Sequence, residues 1–270
     1  MTSPVPDVKG QGLASAIRTD VLRRSKQANV GHIGSSLSIA EILAALYGEI
    51  LRISSPDHPD RDRFILSKGH AGLALYAVLV AVGILPADAL DSFGADGSLL
   101  AAHPEHTSAG IDFSTGSLGH GLSLGAGAAL AARLQGSSRR IFVLVSDAEC
   151  NEGSLWEAAM FARHHGLANL TAIVDLNGQQ AFGYTHDVLD LSPLADLWRA
   201  FGWDVREADG HDVTALVEAL EKPGEAPSVV VAHTTFGKGV SFMEGQIKWH
   251  YAPLSDDEFA QALREVEAAV

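Results

Sequence analysis

Two apolar runs, each ending on a polar side chain, constrain this chain more than any other feature. The first is Ile141-Phe142-Val143-Leu144-Val145-Ser146-Asp147 and the second is Leu170-Thr171-Ala172-Ile173-Val174-Asp175-Leu176-Asn177. Continuous apolar character over so short a run reads as a strand buried on both faces, as in a parallel sheet. A helical stretch, Gly153 to His165, separates them. Strand, helix, strand is a right-handed βαβ unit, with Asp147 and Asn177 at the carboxyl ends of their strands. Open α/β sheets bind ligands at that edge. A carboxylate and an amide carbonyl are hard oxygen donors, suited to an octahedral Mg²⁺ that keeps positions for phosphate oxygens. Either residue alone would equally fit a loop cap.

The remaining pattern extends this architecture. Helical spacing runs from Leu13 to Val30. Ser38-Ile39-Ala40-Glu41 reads as a capping box, followed by Ile42, Leu43, Leu46 and Ile50 on one face. Arg61 to Ser67 predicts a short strand that enters a turn at Lys68-Gly69-His70, with a helix to about Val82. Residues 86–115 are loop-rich, with a short helix near Asp88 to Phe93, and Gly116 to Arg133 opens as a glycine loop and continues as a helix. Then come a helix at Pro193–Phe201, a strand at Trp203–Glu207, a helix at Val213–Glu221 and a strand at Ser228–His233. The glycine-rich Phe236-Gly237-Lys238-Gly239 leads into irregular chain up to Pro253, and Ser255-Asp256-Asp257-Glu258 caps a last amphipathic helix. Residues 1–10 read as a flexible tail. The expectation is one α/β domain over 11–270, a three-layer αβα arrangement around a mostly parallel sheet.

Composition narrows the class. A formal net charge of −14 runs against nucleic-acid binding. Charged residues are only 19% of the chain and hydrophobic ones 47%, which suits close helix packing and a surface covered by something else. The single cysteine, Cys150, excludes an intrachain disulfide and fits a reducing cytoplasm. Met1-Thr2-Ser3-Pro4-Val5-Pro6 is no signal peptide, and no apolar run reaches spanning length, Ala71 to Leu85 being short and glycine-containing; no membrane association is expected.

The string Ser146-Asp147-Ala148-Glu149-Cys150-Asn151-Glu152-Gly153, with Trp156-Glu157-Ala158-Ala159 and Asn177-Gly178, resembles the thiamine-diphosphate fingerprint of transketolases. In that family an Asp in a Gly-Asp-Gly triplet and a later Asn hold the Mg²⁺ or Ca²⁺ that bridges the cofactor's diphosphate. The resemblance gives that role to Asp147 and Asn177, and gives the third place to the backbone carbonyl of Gln179. Here Ser146 and Ala148 replace both glycines. Ala148 offers its backbone N–H to phosphate if its φ is negative, and is strained if the turn needs φ > 0.

Gly116-Ser117-Leu118-Gly119-His120-Gly121 invites a dinucleotide-binding reading but has the wrong spacing and no good preceding strand. Its glycines also fit simple close helix packing. It resembles the transketolase loop that lines the cofactor, which gives Gly116 a carbonyl contact to the aminopyrimidine and Leu118 a packing role. His32, His70, His103 and His250 all sit in or beside loops, where a lone histidine is usually a local hydrogen-bonder. Their segments resemble those bearing the family's active-site histidines. By that likeness His70 and His250 contact the diphosphate, while His32, His103 and His250 face the sugar near the reacting carbons. Imidazole suits either task, as donor or as proton carrier near neutral pH. Glu152 matches a family Glu in an acidic network at the subunit interface, although a Glu entering a helix is also favoured by the macrodipole. Arg61-Asp62-Arg63 reads as structural, with ion pairs inside the run. His106, His120, His211 and the His164-His165 pair read as solvent, packing or helix-end residues, and no zinc-type spacing occurs.

The likeness covers residues 11–254 and matches the N-terminal part of proteins more than twice this length. The implied protein is the N-terminal subunit of a split transketolase, working with a C-terminal pyrimidine-binding partner as an α2β2 assembly. The implied reaction moves a two-carbon ketol unit from a ketose or ketose phosphate to an aldose, with thiamine diphosphate as electron sink. Two other readings share part of the pattern. The α subunit of a 2-oxoacid dehydrogenase has the same cofactor and metal, but the segments around His32, His103 and Trp249-His250 match transketolase better. A non-catalytic scaffold of the same fold fits Ser146 and Ala148, but not the retained Asp147, Asn177 and Glu152.

Overall fold

The computed structural model describes residues 10–221 and 224–268, so the expected tail lies outside them except for Gly10. In chain order the strands are β1 (Arg63–Leu66), β2 (Ile141–Ser146), β3 (Leu170–Leu176), β4 (Gln179–Gln180), β5 (Gly183–Tyr184), β6 (Asp204–Asp209) and β7 (Ser228–His233). Five of them form one parallel sheet in the order β1-β2-β3-β7-β6, while β4 and β5 make a separate antiparallel hairpin.

The pleat sorts the apolar runs onto two faces. Phe142 and Leu144 join one core; Ile141, Val143 and Val145 join the other. The first core is covered by α1 (Gln11–Ala28), α2 (Ile33–Leu37), α3 (Ala40–Ala45) and α4 (Gly72–Ala81). The second is covered by α5 (Gly121–Leu134) and α6 (Gly153–His164). After the hairpin and a short α7 (Thr185–Val188), α8 (Leu194–Ala200) returns to the second core through Trp198. α9 (Val213–Glu221), α10 (Lys248–Tyr251) and α11 (Asp256–Ala268) then pack on the first. The result is the three-layer αβα architecture.

The connections fix where a ligand fits. β3 and β7 are neighbours, yet the chain leaves β3 for helices on one face and leaves β7 for helices on the other. Between strands whose exits diverge, a crevice opens at the carboxyl edge.

Several local expectations fail for physical reasons. The Ser38–Glu41 capping box does not form, because the chain is already helical through Ile33–Leu37 and presents no free helix start there. Both side chains are spent on tertiary contacts: Ser38 Oγ donates to Asp175, and Glu41 takes a fork of two bonds from Arg18 at 2.5 and 2.6 Å. By contrast Ser255 and Glu258 do cap α11 reciprocally. The ion pairs of Arg61-Asp62-Arg63 run outward, not within it: Arg61 and Arg63 both hold Asp112, and Asp62 holds Arg52 and Arg140. A strand alternates its side chains, so neighbours in sequence face apart. His211 is neither a solvent nor a simple packing residue, since it bonds Glu41 and accepts the Thr235 N–H. The segment Ile33–Ile50 does reach the length and hydropathy of a membrane span, contrary to expectation, but 83% of it is buried inside the protein. The stretch before Pro253 holds the short helix α10, where irregular chain was expected.

Candidate functional site

Loops at the carboxyl ends of β1, β2, β3 and β7 converge with the α1–α2 connection and α10 around a cavity of about 290 Å³. Larger hollows lie beside Ser117 and Leu124, about 520 Å³, beside Arg52 and Arg140, about 470 Å³, and beside Trp249 and Glu258, about 380 Å³. None of these gathers comparable chemistry. The smaller cavity is lined by His32, His70, His103, His250, Gly116, Leu118, Ala148, Glu152, Asn177 and Gln179. Every site residue expected from the sequence is among them except Asp147, which lies just beneath.

Asp147 follows β2 and is almost fully buried. Its Oδ2 accepts the Gly178 N–H and the Thr185 hydroxyl, both at 2.9 Å. Its Oδ1 is buried with no hydrogen-bond partner. Burial, and after it the negative charge of Asp175, pushes the Asp147 carboxyl up to about 6. An unmatched carboxylate oxygen in a dry site is costly unless a cation compensates it. Among the described residues no group of three or more His, Cys, Asp and Glu is set for a metal. The donors here are one carboxylate, the Asn177 amide and backbone carbonyls, which is a hard-oxygen set. The residues therefore fit a divalent cation held jointly with phosphate oxygens.

Ala148 resolves the question raised by the missing glycines. It opens a single 3₁₀ turn, Ala148–Asn151, with negative φ, so alanine is unstrained. Ser146 adds a contact no glycine could make, its Oγ accepting the Glu149 N–H at 3.1 Å. Gln179 begins the hairpin and donates its N–H to Asn177 Oδ1 at 2.9 Å.

Three histidines form a cluster. Ring centroids lie 5.3 Å apart for His32–His70, 4.9 Å for His32–His250 and 5.5 Å for His70–His250. Burial comes first in holding all three below the usual histidine range. Lys68 and the other rings add to it at His70, His32 and Lys68 at His250, which is brought to about 4, and His103 at His32. They are neutral imidazoles at pH 7, each with one N–H to give and one lone pair. His70 Nε2 is 2.8 Å from Ser35 Oγ, whereas Nδ1 of His32 and of His250 is buried without a partner. His32 itself sits at φ 59, unusual for a non-glycine residue. It is held there by its N–H bond to the His250 carbonyl at 3.2 Å. Gly116 takes φ 147, and a Cβ on it would stand 3.0 Å from the His103 ring. Glu152 is exposed at the cavity mouth and its side chain does not cap α6.

The sequence reading did not assign a role to Glu149, Lys68, Asp175, Ser35, Phe236 or Phe182. Glu149 is fully buried and its Oε1 accepts the Ser67 hydroxyl and, at 2.7 Å, the Gly119 N–H. It thereby ties the Gly116–Gly121 loop to the end of β1. Lys68 and Asp175 form a fully buried ion pair at 2.5 Å. The one available signal was a charged residue inside an apolar run. Phe182 lines the cavity from the hairpin tip with 86% of its surface exposed.

Residues 10–267 match the family described as transketolase, thiamine diphosphate binding domain. The chain belongs to the transketolase family. It is 42% identical over 263 residues to the 6-deoxy-6-sulfo-D-fructose transketolase subunit SqwG of Clostridium sp. (strain MSTE9), covering 95% of this chain and 96% of that one. It is 41% identical over 249 residues to a subunit of the apulose-4-phosphate transketolase of Phocaeicola vulgatus, covering 90% of this chain and 89% of that one. The transketolase of Pichia stipitis in complex with sedoheptulose 7-phosphate superposes with a TM-score of 0.88 at 32% identity, over 95% of this chain but only 40% of that chain. This chain thus corresponds to the N-terminal, cofactor-binding part of a transketolase. It spans about two fifths of the single-chain enzyme and nearly the whole of the separate subunits.

Proposed function

We propose that this chain is the catalytic N-terminal subunit of a two-component transketolase that transfers a two-carbon ketol unit from a ketose to an aldose. Thiamine diphosphate, when bound, supplies the electron sink for the cleaved carbon–carbon bond. The chain's own residues bind, orient and handle protons. Asp147, Asn177 and the Gln179 carbonyl hold Mg²⁺ or Ca²⁺ against the diphosphate; the Ala148 N–H and His70 donate to its oxygens. His32, His103 and His250 face the sugar, where imidazoles give or take protons at substrate oxygens. The observation that carries this reading is the buried, unpartnered Oδ1 of Asp147 beside Asn177 at the sheet's carboxyl edge.

The names of the relatives point to sugars with an acidic tail, a sulfonate in one and a phosphate in the other. Among the described residues no lysine or arginine lines this cavity. We therefore assign recognition of such a tail to a pyrimidine-domain partner, in an α2β2 assembly within the cytoplasm. The test is an assay of the purified chain with thiamine diphosphate and Mg²⁺, alone and with the partner recovered by pull-down. Turnover is expected only from the mixture. Full turnover by the single chain would overturn the two-component reading. Failure of the mixture to bind thiamine diphosphate in calorimetry would overturn catalysis itself and favour a scaffold.

A further inference from the structure

We propose that Asp175 is a positioning residue that sets which face of the Asn177 amide meets the metal, with Lys68 as its fixed counter-ion. The inference rests on the metal reading above and adds the group that orients the ligand.

An asparagine amide has two nearly isosteric faces, one an acceptor and one a double donor. Only the oxygen binds a cation, so a ligand asparagine needs something that tells its faces apart. Asp175 Oδ2 accepts from Asn177 Nδ2 at 2.7 Å. Turning the amide over would set its oxygen against the oxygen of a fully buried carboxylate, which is repulsive. Meanwhile Asn177 Oδ1 takes one N–H, from Gln179, and keeps a second lone pair.

The carboxylate is itself immobilised. Its Oδ2 also accepts from Lys68 Nζ at 2.5 Å and Ser38 Oγ at 2.8 Å, and its Oδ1 accepts from the Thr234 hydroxyl. Neither Asp175 nor Lys68 has any solvent-exposed side-chain surface. A buried pair is weak evidence for stability, because its desolvation cost rivals its attraction. Its value here is geometric. Donors from the residue that ends α2, the β1 turn and the β7 exit all fix one carboxylate, and that carboxylate fixes the ligand. Lys68 also donates to the Ser35 carbonyl at 2.9 Å, and Ser35 meets His70, so the same pair braces the expected diphosphate contact.

The experiment measures Mg²⁺ half-saturation in the assembled enzyme with thiamine diphosphate saturating, read from the rise in melting temperature. Asp175→Asn presents an ambiguous amide to Asn177, and half-saturation should rise roughly 10–100-fold. The exchange variant Asp175→Asn with Asn177→Asp should return to within about threefold of wild type, because a carboxylate at 177 has no wrong face. Ser38→Ala removes one of the donors that fix Asp175 but leaves Lys68 and the amide contact in place, and should raise half-saturation by less than Asp175→Asn does. A purely structural role would lower the melting temperature without metal in every variant and would not be rescued by the exchange. Wild-type half-saturation in Asp175→Asn, or no recovery on exchange, would overturn the proposal. If Asp175→Asn fails to fold, the exchange variant decides alone, a loss beyond roughly tenfold overturning it. A wild-type enzyme whose cofactor binding ignores Mg²⁺ would instead sink the metal reading on which this rests.

Discussion

At the floor of the site, Lys68, Glu149 and Asp175 have no exposed surface, and each finds hydrogen-bond partners within the chain. At the rim, Phe182 keeps 86% of its surface in solvent and Tyr251 keeps 59%, with Glu152 and His103 also exposed. The floor is pre-organised: its side chains are fixed before any ligand arrives. The rim has apolar surface that finds no cover among the described residues. A half-site finished below and open above is what a subunit needs if it binds the cofactor's anionic end itself and leaves the other end to a second chain.

The contrast is sharpest at Asp147. Asp147→Ala removes the orphan oxygen that asks for a cation, and we expect no measurable thiamine-diphosphate binding in calorimetry of the assembled enzyme, a loss of at least ~10³-fold in activity. Affinity close to wild type would break the assignment of the floor. One step toward the rim, His103→Ala should slow transfer roughly 10²-fold while cofactor affinity stays nearly intact. The reverse outcome, weak cofactor binding with normal turnover at saturation, would place His103 at the floor instead. Glu149→Ala frees the Gly116–Gly121 loop from β1 and should raise the cofactor concentration needed for half-activity by roughly tenfold or more. Glu149→Gln keeps an acceptor and should recover most of it; equal losses in the two variants would argue against the loop tether.

Smaller effects are expected at the rim and in the acid response. Phe182→Ala removes a ring that lies mostly in solvent, so the isolated subunit should melt unchanged, while association with the partner weakens by about 1–2 kcal/mol. A lower melting temperature of the lone subunit, or unaltered association, would contradict an open rim. The histidine cluster gives the smallest change. A histidine held below its unfolded value contributes stability that is complete above about pH 6.5. For His250 that contribution fades as pH falls from there to about 4. His250→Asn should flatten this acid limb by ~1 kcal/mol, discounted for the ring's partial contact with water. Urea midpoints at pH 8 and pH 5 would show it, and an unchanged slope would mean that the burial of His250 has no energetic weight.

What the sequence disclosed follows the same division. Uninterrupted apolar runs revealed β2 and β3, because burial on both faces leaves a direct compositional trace. Asp147, Asn177 and the cavity's histidines stood out through local strings. Lys68–Asp175 and Glu149–Gly119 were not, since a tertiary contact between residues 107 or 30 positions apart leaves no periodic mark. The Ser38–Glu41 misreading shows why: the string suited a helix start, but its two side chains were recruited by Asp175 and Arg18 from distant parts of the fold. The same holds for Asp62, whose partners Arg52 and Arg140 come from opposite sides of it along the chain.

The bond from the His32 N–H to the His250 carbonyl carries a further consequence for biogenesis. A Cβ at Gly31 would strike the backbone carbonyl of Tyr251, so the two segments meet backbone to backbone. Loop closure over such a span is among the slower steps a chain takes, and synthesis runs from the N-terminus at roughly 5–20 residues per second. The histidine cluster therefore cannot exist on a nascent chain until Tyr251 has left the ribosome. The cluster is completed by that one long-range closure, since neither segment holds His32 and His250 together on its own.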